Sequence, residues 1–343
     1  MDGPDAALPG VSYVMPVLNE KGYVASAVAS VLAQDYPGPA EVVLALGPST
    51  DGTDEIVAAL ARGDERIRTV PNPQAHIPVG LNAAIRAARH PVVVRVDAHT
   101  ELPAGYTRHA VETLERTGAA NVGGIMLARG ENDFQSAVAR AYNSALGLGG
   151  GDYHDVDAPA GPNESAYLGV FRADALAAVG GYNESLRRGE DWELNHRLIE
   201  SGRTVWLDPA LRVTYRPRNS WTALARQFWA TGVWRGELVR RLGGRNPVRF
   251  FAPPALVLTT AAAVAPVRRL RVPSRLGLLV YAATVATSAA REYDSLRDRL
   301  RYAAVLATMH GAWGSGFLVG LVRGGKHTVD TSRTSSQSSQ PSS

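Results

Sequence analysis

The stretch PVVVRVDAHTELP, residues 91–103, opens on three consecutive valines and closes on an aspartate and a histidine two positions apart. An aliphatic run ending on polar groups fits a central strand of a parallel sheet, and open α/β folds bind their ligands outside the carboxyl ends of such strands. Side chains alternate along a strand, so Asp97 and His99 are expected to project from one side. The residues allow two readings. The pair forms a ligand or metal site at the strand end, or else Asp97 pairs with Arg95 or caps the turn before Pro103, and His99 is an exposed loop histidine.

Upstream of this stretch, short apolar runs alternate with amphipathic ones. VSYVMPV reads as a strand and residues 21–34 as a helix; EVVLALG, helical DEIVAALAR, a strand at 66–70 and a helix at 77–89 follow. Strands separated by single helices imply βαβ units, hence a Rossmann-like, mostly parallel sheet with flanking helices. Residues 127–164 are rich in Gly, Asp and Asn and read as a long mobile loop after one helical stretch at 133–146, and such loops gate or bind ligands. Order returns with strand SAYLGVF, helix ADALAAVG, a turn at Gly180 and Gly181, helix WELNHRLIES and strands near 203–215.

With 343 residues and 45% hydrophobic content, the chain can bury one large core and carry an appendage. It has no cysteine, which excludes disulfides, thiolate metal sites and a cysteine nucleophile. The start, MDGPDAALPG, has neither the positive nor the apolar region of a secretory signal, which predicts a cytoplasmic amino-terminal domain. The net charge of +4 is concentrated in residues 216–249, where eight arginines face one acid, Glu237. Trp221, Leu224, Ala225, Phe228, Val239 and Leu242 recur there at helical spacing, and a basic amphipathic helix with aromatics suits a membrane interface.

Three apolar stretches follow, at 250–267, 276–290 and 302–322. At about 1.5 Å per residue they reach roughly 27, 22 and 31 Å, against about 30 Å of hydrocarbon. Only the third spans comfortably, Pro253, Pro254 and Pro266 interrupt the first, and arginines flank both ends of the second. Interfacial or re-entrant helices fit this pattern better than three plain spans; a soluble helical domain with buried hairpins is the alternative. The expected organisation is an amino-terminal tail at 1–10, an α/β domain at 11–218, a basic interface helix at 219–249, an apolar membrane-associated helical region at 250–323 and a disordered Ser-rich tail at 324–343.

Several turns carry polar groups suited to chemistry. MPVLNE ends the first strand, and ALGPSTDGTDE places Asp51 at a helix start whose free amides favour an anion, although N-capping by Ser49, Thr53 or Asp54 explains that turn equally. In GGYNESLRRGEDWELNHRL, Glu190 and Asp191 stand immediately before an apolar helical pattern. Asp191 is either a plain N-cap or a carboxylate held ionised and fixed in direction, as a general base requires.

Together and in this order, these turns resemble the family 2 glycosyltransferases of GT-A fold over about residues 11–235. The details ALGPSTDGTDE, VRVDAH and HGAWGSGFLVG are most similar to the bacterial succinoglycan-type enzymes, which are membrane-associated and build exopolysaccharide or lipid-linked saccharides. The resemblance implies that Pro16, Asn19, Glu20 and Asp51 contact the donor nucleotide, that Asp97 touches the nucleotide or its diphosphate, and that Asp97 and His99 hold the metal. It implies further that Asp191 is the catalytic base and that Gly180, Gly181, Tyr182 and Glu190 shape the acceptor side. From position alone, Arg226 and Arg235 are candidates for binding diphosphate in a bidentate fork.

The sequence departs from the family pattern in three places. Leu46, Gly47 and Pro48 stand where many members carry acids, so base and ribose recognition must differ. The metal motif ends in histidine, which suits Mn²⁺ better than Mg²⁺. The Gln-X-X-Arg-Trp signature of processive members is absent, since Gln227 is followed by Phe228, Trp229 and Ala230. The expected activity is inverting, non-processive transfer from a nucleotide-diphosphate sugar, with a UDP-sugar the expected donor, to a lipid-linked or polysaccharide hydroxyl at the cytoplasmic face of the cell membrane. A non-catalytic sugar-nucleotide-binding or assembly protein on the same fold is the alternative. Nucleic acid is not an expected partner, because the arginines adjoin apolar segments and do not line a folded basic face.

Overall fold

The computed structural model describes residues 8–148, 152–186, 189–242 and 248–323; the tail expected at 324–343 and the first seven residues lie outside the described residues. The chain divides into two compact units. Of the described residues, one holds those up to Leu127 with those of Val156–Tyr215, and the other holds those of Ala128–Asp155 with those from Arg216 to Arg323. Segment 128–155, read with the α/β domain in the sequence, therefore clusters with the carboxy-terminal helices.

The first unit contains β1 (Val11–Val17), α1 (Val24–Leu32), β2 (Ala40–Leu46), α2 (Thr53–Gly63), β3 (Ile67–Pro71), α3 (Ile77–Ala87), β4 (Val92–Arg95), α4 (Tyr106–Thr117) and β5 (Asn121–Ala128). After α5 (Asp133–Tyr142), which belongs to the second unit, it resumes with β6 (Gly161–Pro162), β7 (Tyr167–Arg172), α6 (Ala173–Ala178), α7 (Glu190–Glu200) and β8 (Val205–Tyr215). The eight strands form one sheet in the order β3-β2-β1-β4-β7-β5-β8-β6. β1 is parallel to β2 and β4, and β2 to β3, whereas β7 lies antiparallel between β4 and β5. Five strands thus share one direction, and β7 reverses it.

β1, β2 and β4 are buried along nearly their whole length, which is why they read as unbroken aliphatic runs. Parallel pairing with Val17 opposite Leu46 and Val14 opposite Arg95 brings their carboxyl ends to one edge. β4 stops at Arg95, so Asp97 and His99 lie in the turn beyond it and the expected strand alternation does not reach them. α7 begins at Glu190, with Gly189 in the left-handed cap position. Asp191 is therefore a first-turn residue and not the N-cap.

The second unit is helical: α5 with α8 (Trp221–Leu242), α9 (Ala252–Ala263), α10 (Arg268–Glu292) and α11 (Leu296–Arg323). α8 and α11 pack with their backbones close. A Cβ on Gly232 would overlap the Trp313 carbonyl, and one on Gly316 or Gly320 would overlap the carbonyl of Trp229 or Val233. α11 buries Tyr302, Val305, Leu306, Met309 and Phe317 in this unit. Pro253 and Pro254 sit in the first turn of α9, where a missing N–H costs nothing, so they start that helix instead of interrupting it. α10 is nearly bare: of its 25 residues only Val285 and Ala289 are buried. Among the described residues, α11 alone is long and apolar enough to cross a membrane, and 39% of its most apolar window is buried inside the structure.

Candidate active site at the strand ends

The turns after β1 and β2 are clipped together. Asn19, held at φ 54°, accepts at Oδ1 from the Thr50 amide (2.8 Å) and donates its own N–H to Ser49 Oγ (3.1 Å). The Glu20 amide donates to Thr53 Oγ1 (2.8 Å), and the Lys21 amide to Asp51 Oδ2 (3.1 Å). Asp51 Oδ1 accepts from the Thr53 amide (3.0 Å) as well. Burial pushes the Asp51 pKa up, but the hydrogen bonds from Thr53 and Lys21 outweigh it, and the carboxyl stays below its ordinary value. Asp51 Oδ2 thus joins the two turns, while Oδ1 braces the second turn from within. Pro16 pairs with Ala45 one position before the carboxyl end of this parallel ladder.

The turn after β4 divides its two candidate ligands. His99 Nδ1 lies 3.1 Å from Glu20 Oε1, and Asp97 Oδ1 lies 3.3 Å from Arg95 Nη2. The ion pair between Asp97 and Arg95 is therefore formed, and His99 faces the turn after β1. No group of three or more His, Cys, Asp or Glu side chains is arranged to hold a metal among the described residues. Two protein donors suit an ion that takes its other ligands from substrate phosphate and water. A carboxylate has about four lone-pair positions, so the contact with Arg95 leaves Asp97 acceptor capacity for such an ion.

Arg95 organises the acidic side of the site. Its side chain is 7% exposed; Nη1 donates to Asp191 Oδ1, and Nη2 meets Glu190 Oε1 at 3.5 Å as well as Asp97. Burial alone would lower the Arg95 pKa, but the neighbouring charges of Asp97 and Glu190 more than offset it and raise the value. One guanidinium faces three carboxylates, a formal charge of −2. Asp191, at the start of α7 where the helix dipole favours negative charge, keeps 47% of its side chain exposed.

The loop at Gly180–Tyr182 is held from two helices. Asn82, in α3, donates Nδ2–H to the Tyr182 carbonyl (2.8 Å) and to Glu184 Oε1 (2.9 Å), while the Tyr182 amide donates back to Asn82 Oδ1 (2.8 Å). Arg197, in α7, donates to the Gly181 carbonyl (2.7 Å) and to the Val179 carbonyl. Gly181 has φ +69°, and a Cβ there would stand 2.6 Å from Asn82 Oδ1, so only glycine fits. Tyr182 packs edge-on to Phe171 and 5.9 Å from the Arg95 Cζ, and burial raises its pKa to about 12.

Asn82, Arg95 and Arg197 are the parts of the site that the sequence reading did not assign. Their one visible signal is a polar residue inside an apolar pattern, Asn82 in VGLNAAI and Arg95 in VVVRV. Arg226 and Arg235 lie in the second unit. Arg226 is exposed, whereas Arg235 is buried with its guanidinium 3.9 Å from the Phe250 ring and 4.4 Å from that of Trp234.

Comparison with known proteins bears on the family and the fold. The family model "Glycosyl transferase family 2" matches residues 12–180. Over 256 residues, 74% of this chain and 75% of the relative, the sequence is 34% identical to the succinoglycan biosynthesis protein ExoA of Rhizobium meliloti (strain 1021). The chain belongs to glycosyltransferase family 2. A second relative in Methanococcus voltae, a dolichyl N-acetyl-alpha-D-glucosaminyl phosphate 3-beta-D-2,3-diacetamido-2,3-dideoxy-beta-D-glucuronosyltransferase, is 23% identical over 67% of this chain and 74% of its own. Among solved structures, the mannosyltransferase PcManGT from Pyrobaculum calidifontis, in complex with GDP-Man and Mn²⁺, superposes with a TM-score of 0.63 at 20% identity, covering 92% of this chain and 88% of that one. TarS 1-349 of S. aureus gives 0.51 at 14% identity, with 90% of each chain covered. The expected GT-A fold is therefore the observed one. The family 2 match ends at Gly180, so Asp191 and the start of α7 lie beyond it and rest on their own geometry.

Proposed function

We propose that this family 2 glycosyltransferase transfers one sugar, with inversion, from a nucleoside-diphosphate sugar to a hydroxyl of a lipid-linked or polysaccharide acceptor. Asp191 takes the proton from the acceptor hydroxyl. That oxygen attacks the anomeric carbon from the side opposite the leaving group, and the bond to the diphosphate breaks with its electron pair going to the diphosphate oxygen. The turns after β1 and β2, with Asn19 and Glu20, receive the nucleotide, and the loop Gly180–Tyr182 with Glu190 borders the acceptor. Asp97 and His99 would hold a divalent ion, Mn²⁺ by their mixed oxygen and nitrogen donors, which supplies charge neutralisation for the departing diphosphate.

The observation that carries this reading is the −2 cluster around Arg95, with its one half-exposed carboxylate at a helix start. Such a site repels a diphosphate unless a cation intervenes, and its exposed carboxylate is open to a proton-bearing partner. A structural neighbour named with GDP-Man and Mn²⁺ supports the donor class and the ion. The relatives named for succinoglycan biosynthesis and for a dolichyl phosphate substrate support the acceptor class. The decisive experiment is Asp191→Asn assayed with a panel of nucleoside-diphosphate sugars and polyprenyl-phosphate-linked acceptors. Transfer falls by about 10² or more while donor binding persists; transfer at the wild-type rate would refute Asp191 as base.

For attachment to the cytoplasmic face of a membrane, the supporting observation is α10. Its uncharged stretch 276–290 is largely exposed, and Arg268, Arg269, Arg271 and Arg275 precede it. Apolar side chains beside arginines match the interface of an anionic bilayer. In this reading α9 and α10 face lipid, and α11 serves as the packed centre of its unit.

A further inference from the structure

We infer that Arg95 is a positioning residue: its guanidinium fixes the direction of Asp191 and anchors it to the donor-side Asp97. The inference rests on the proposed role of Asp191 as base. It comes from the geometry of one buried side chain at the end of β4, a strand otherwise made of valines. Nη1 is engaged by Asp191, while Nη2 is shared by Asp97 at 3.3 Å and Glu190 at 3.5 Å. The planar fork holds these two directions at a fixed angle, so the position of one carboxylate constrains the others.

The partners come from separate parts of the chain. Asp97 lies in the turn after β4, and Glu190 and Asp191 open α7, some 95 residues later. The guanidinium touches both, and so links the donor-side aspartate directly to the base. One Asp191 oxygen is held by the fork, and the half-exposed side chain leaves the carboxylate open to an incoming hydroxyl. Without Arg95, Glu190 and Asp191 would lose the cation that faces them. Asp191 would then turn to solvent, and its alignment with the acceptor would be lost. Lysine keeps a charge in the cluster but offers one ammonium where the fork serves two sides.

The test is a double-mutant cycle on the full-length protein, reading transfer rate, donor binding by calorimetry and thermal unfolding. Arg95→Gln is expected to lower kcat about 10²-fold with donor affinity within about fivefold, and Arg95→Lys to recover part of that loss. In an Asp191→Asn background, Arg95→Gln should lower transfer by no more than about threefold, because its effect runs through Asp191. A purely structural role would instead give additive losses, so a further tenfold drop in the double variant overturns the inference. Wild-type transfer by folded Arg95→Gln overturns it as well. Should Arg95→Gln not fold, Arg95→Lys carries the test, with about a tenfold loss of kcat expected and wild-type kcat refuting. Asp191→Asn at wild-type rate refutes the base assignment itself, a result distinct from any of these.

Discussion

The exposed face of α10 leads to a quantitative prediction about the membrane. Leu276, Leu279 and Val280 are 59%, 65% and 67% exposed within their unit. Full burial of such a side chain is worth about 1.5–3 kcal/mol, so inserting the exposed share is worth roughly 1–2 kcal/mol each, and about 3–6 kcal/mol for the three. Replacing all three by serine should therefore weaken partitioning roughly 10²- to 10⁴-fold. Arg268, Arg269, Arg271 and Arg275 add about 1 kcal/mol each near an anionic surface, a contribution that salt screens and the apolar one resists. The wild-type protein should remain with membranes in high salt or carbonate and leave only in detergent. The triple serine variant should enter the soluble fraction, and its thermal unfolding should barely change, since these side chains are already outside the packed unit. If the variant pellets as firmly as the wild type, α10 is not the attachment surface and α11 must be. Purification of the wild type from the cytosol without detergent would refute membrane attachment altogether.

Two further outcomes test the strand-end site. His99→Ala should weaken Mn²⁺-dependent donor binding in calorimetry while leaving the fold intact, and excess EDTA should abolish transfer by the wild type; full turnover in EDTA would remove the metal from the reaction. Gly181→Ala combines a left-handed backbone with a Cβ 2.6 Å from Asn82 Oδ1. It should cost about 1–3 kcal/mol, seen as a loss of roughly 2–4 °C in Tm for each kcal/mol. An unchanged Tm would mean that the loop relaxes and the grip of Asn82 on Tyr182 is not rigid.

Composition and pattern were sufficient for the parts whose physics is local. β1, β2 and β4 are legible because a strand buried on both faces must be apolar throughout, and the polar turn that ends each one marks the sheet edge. Pro16, Asn19, Asp97 and His99 could be placed near that edge for the same reason. α8 is legible in part by its period: Leu224, Phe228 and Val239 are buried as their spacing requires, whereas Trp221 of the same set is 43% exposed. The prolines of α9 were visible yet misread as breaks, because their position relative to a helix start depends on where the preceding chain ends.

What the sequence by itself determined is thus the alternating α/β order, the polar ends of its strands and the basic, apolar character of the carboxy-terminal third. The tertiary structure alone decided the direction of β7, which a strand's composition does not record. It also decided that Asp51 clips two turns together and that Asp191 stands inside the first turn of α7. The roles of Arg95 and Asn82 belong here too, since their partners lie about 95 and 100 residues away and a side chain carries no mark of a partner that distant. The same holds for α10 and α11. Both are apolar in sequence, and only packing distinguishes them: glycines let α8 meet α11 backbone to backbone, whereas Leu276, Leu279 and Val280 of α10 stay uncovered.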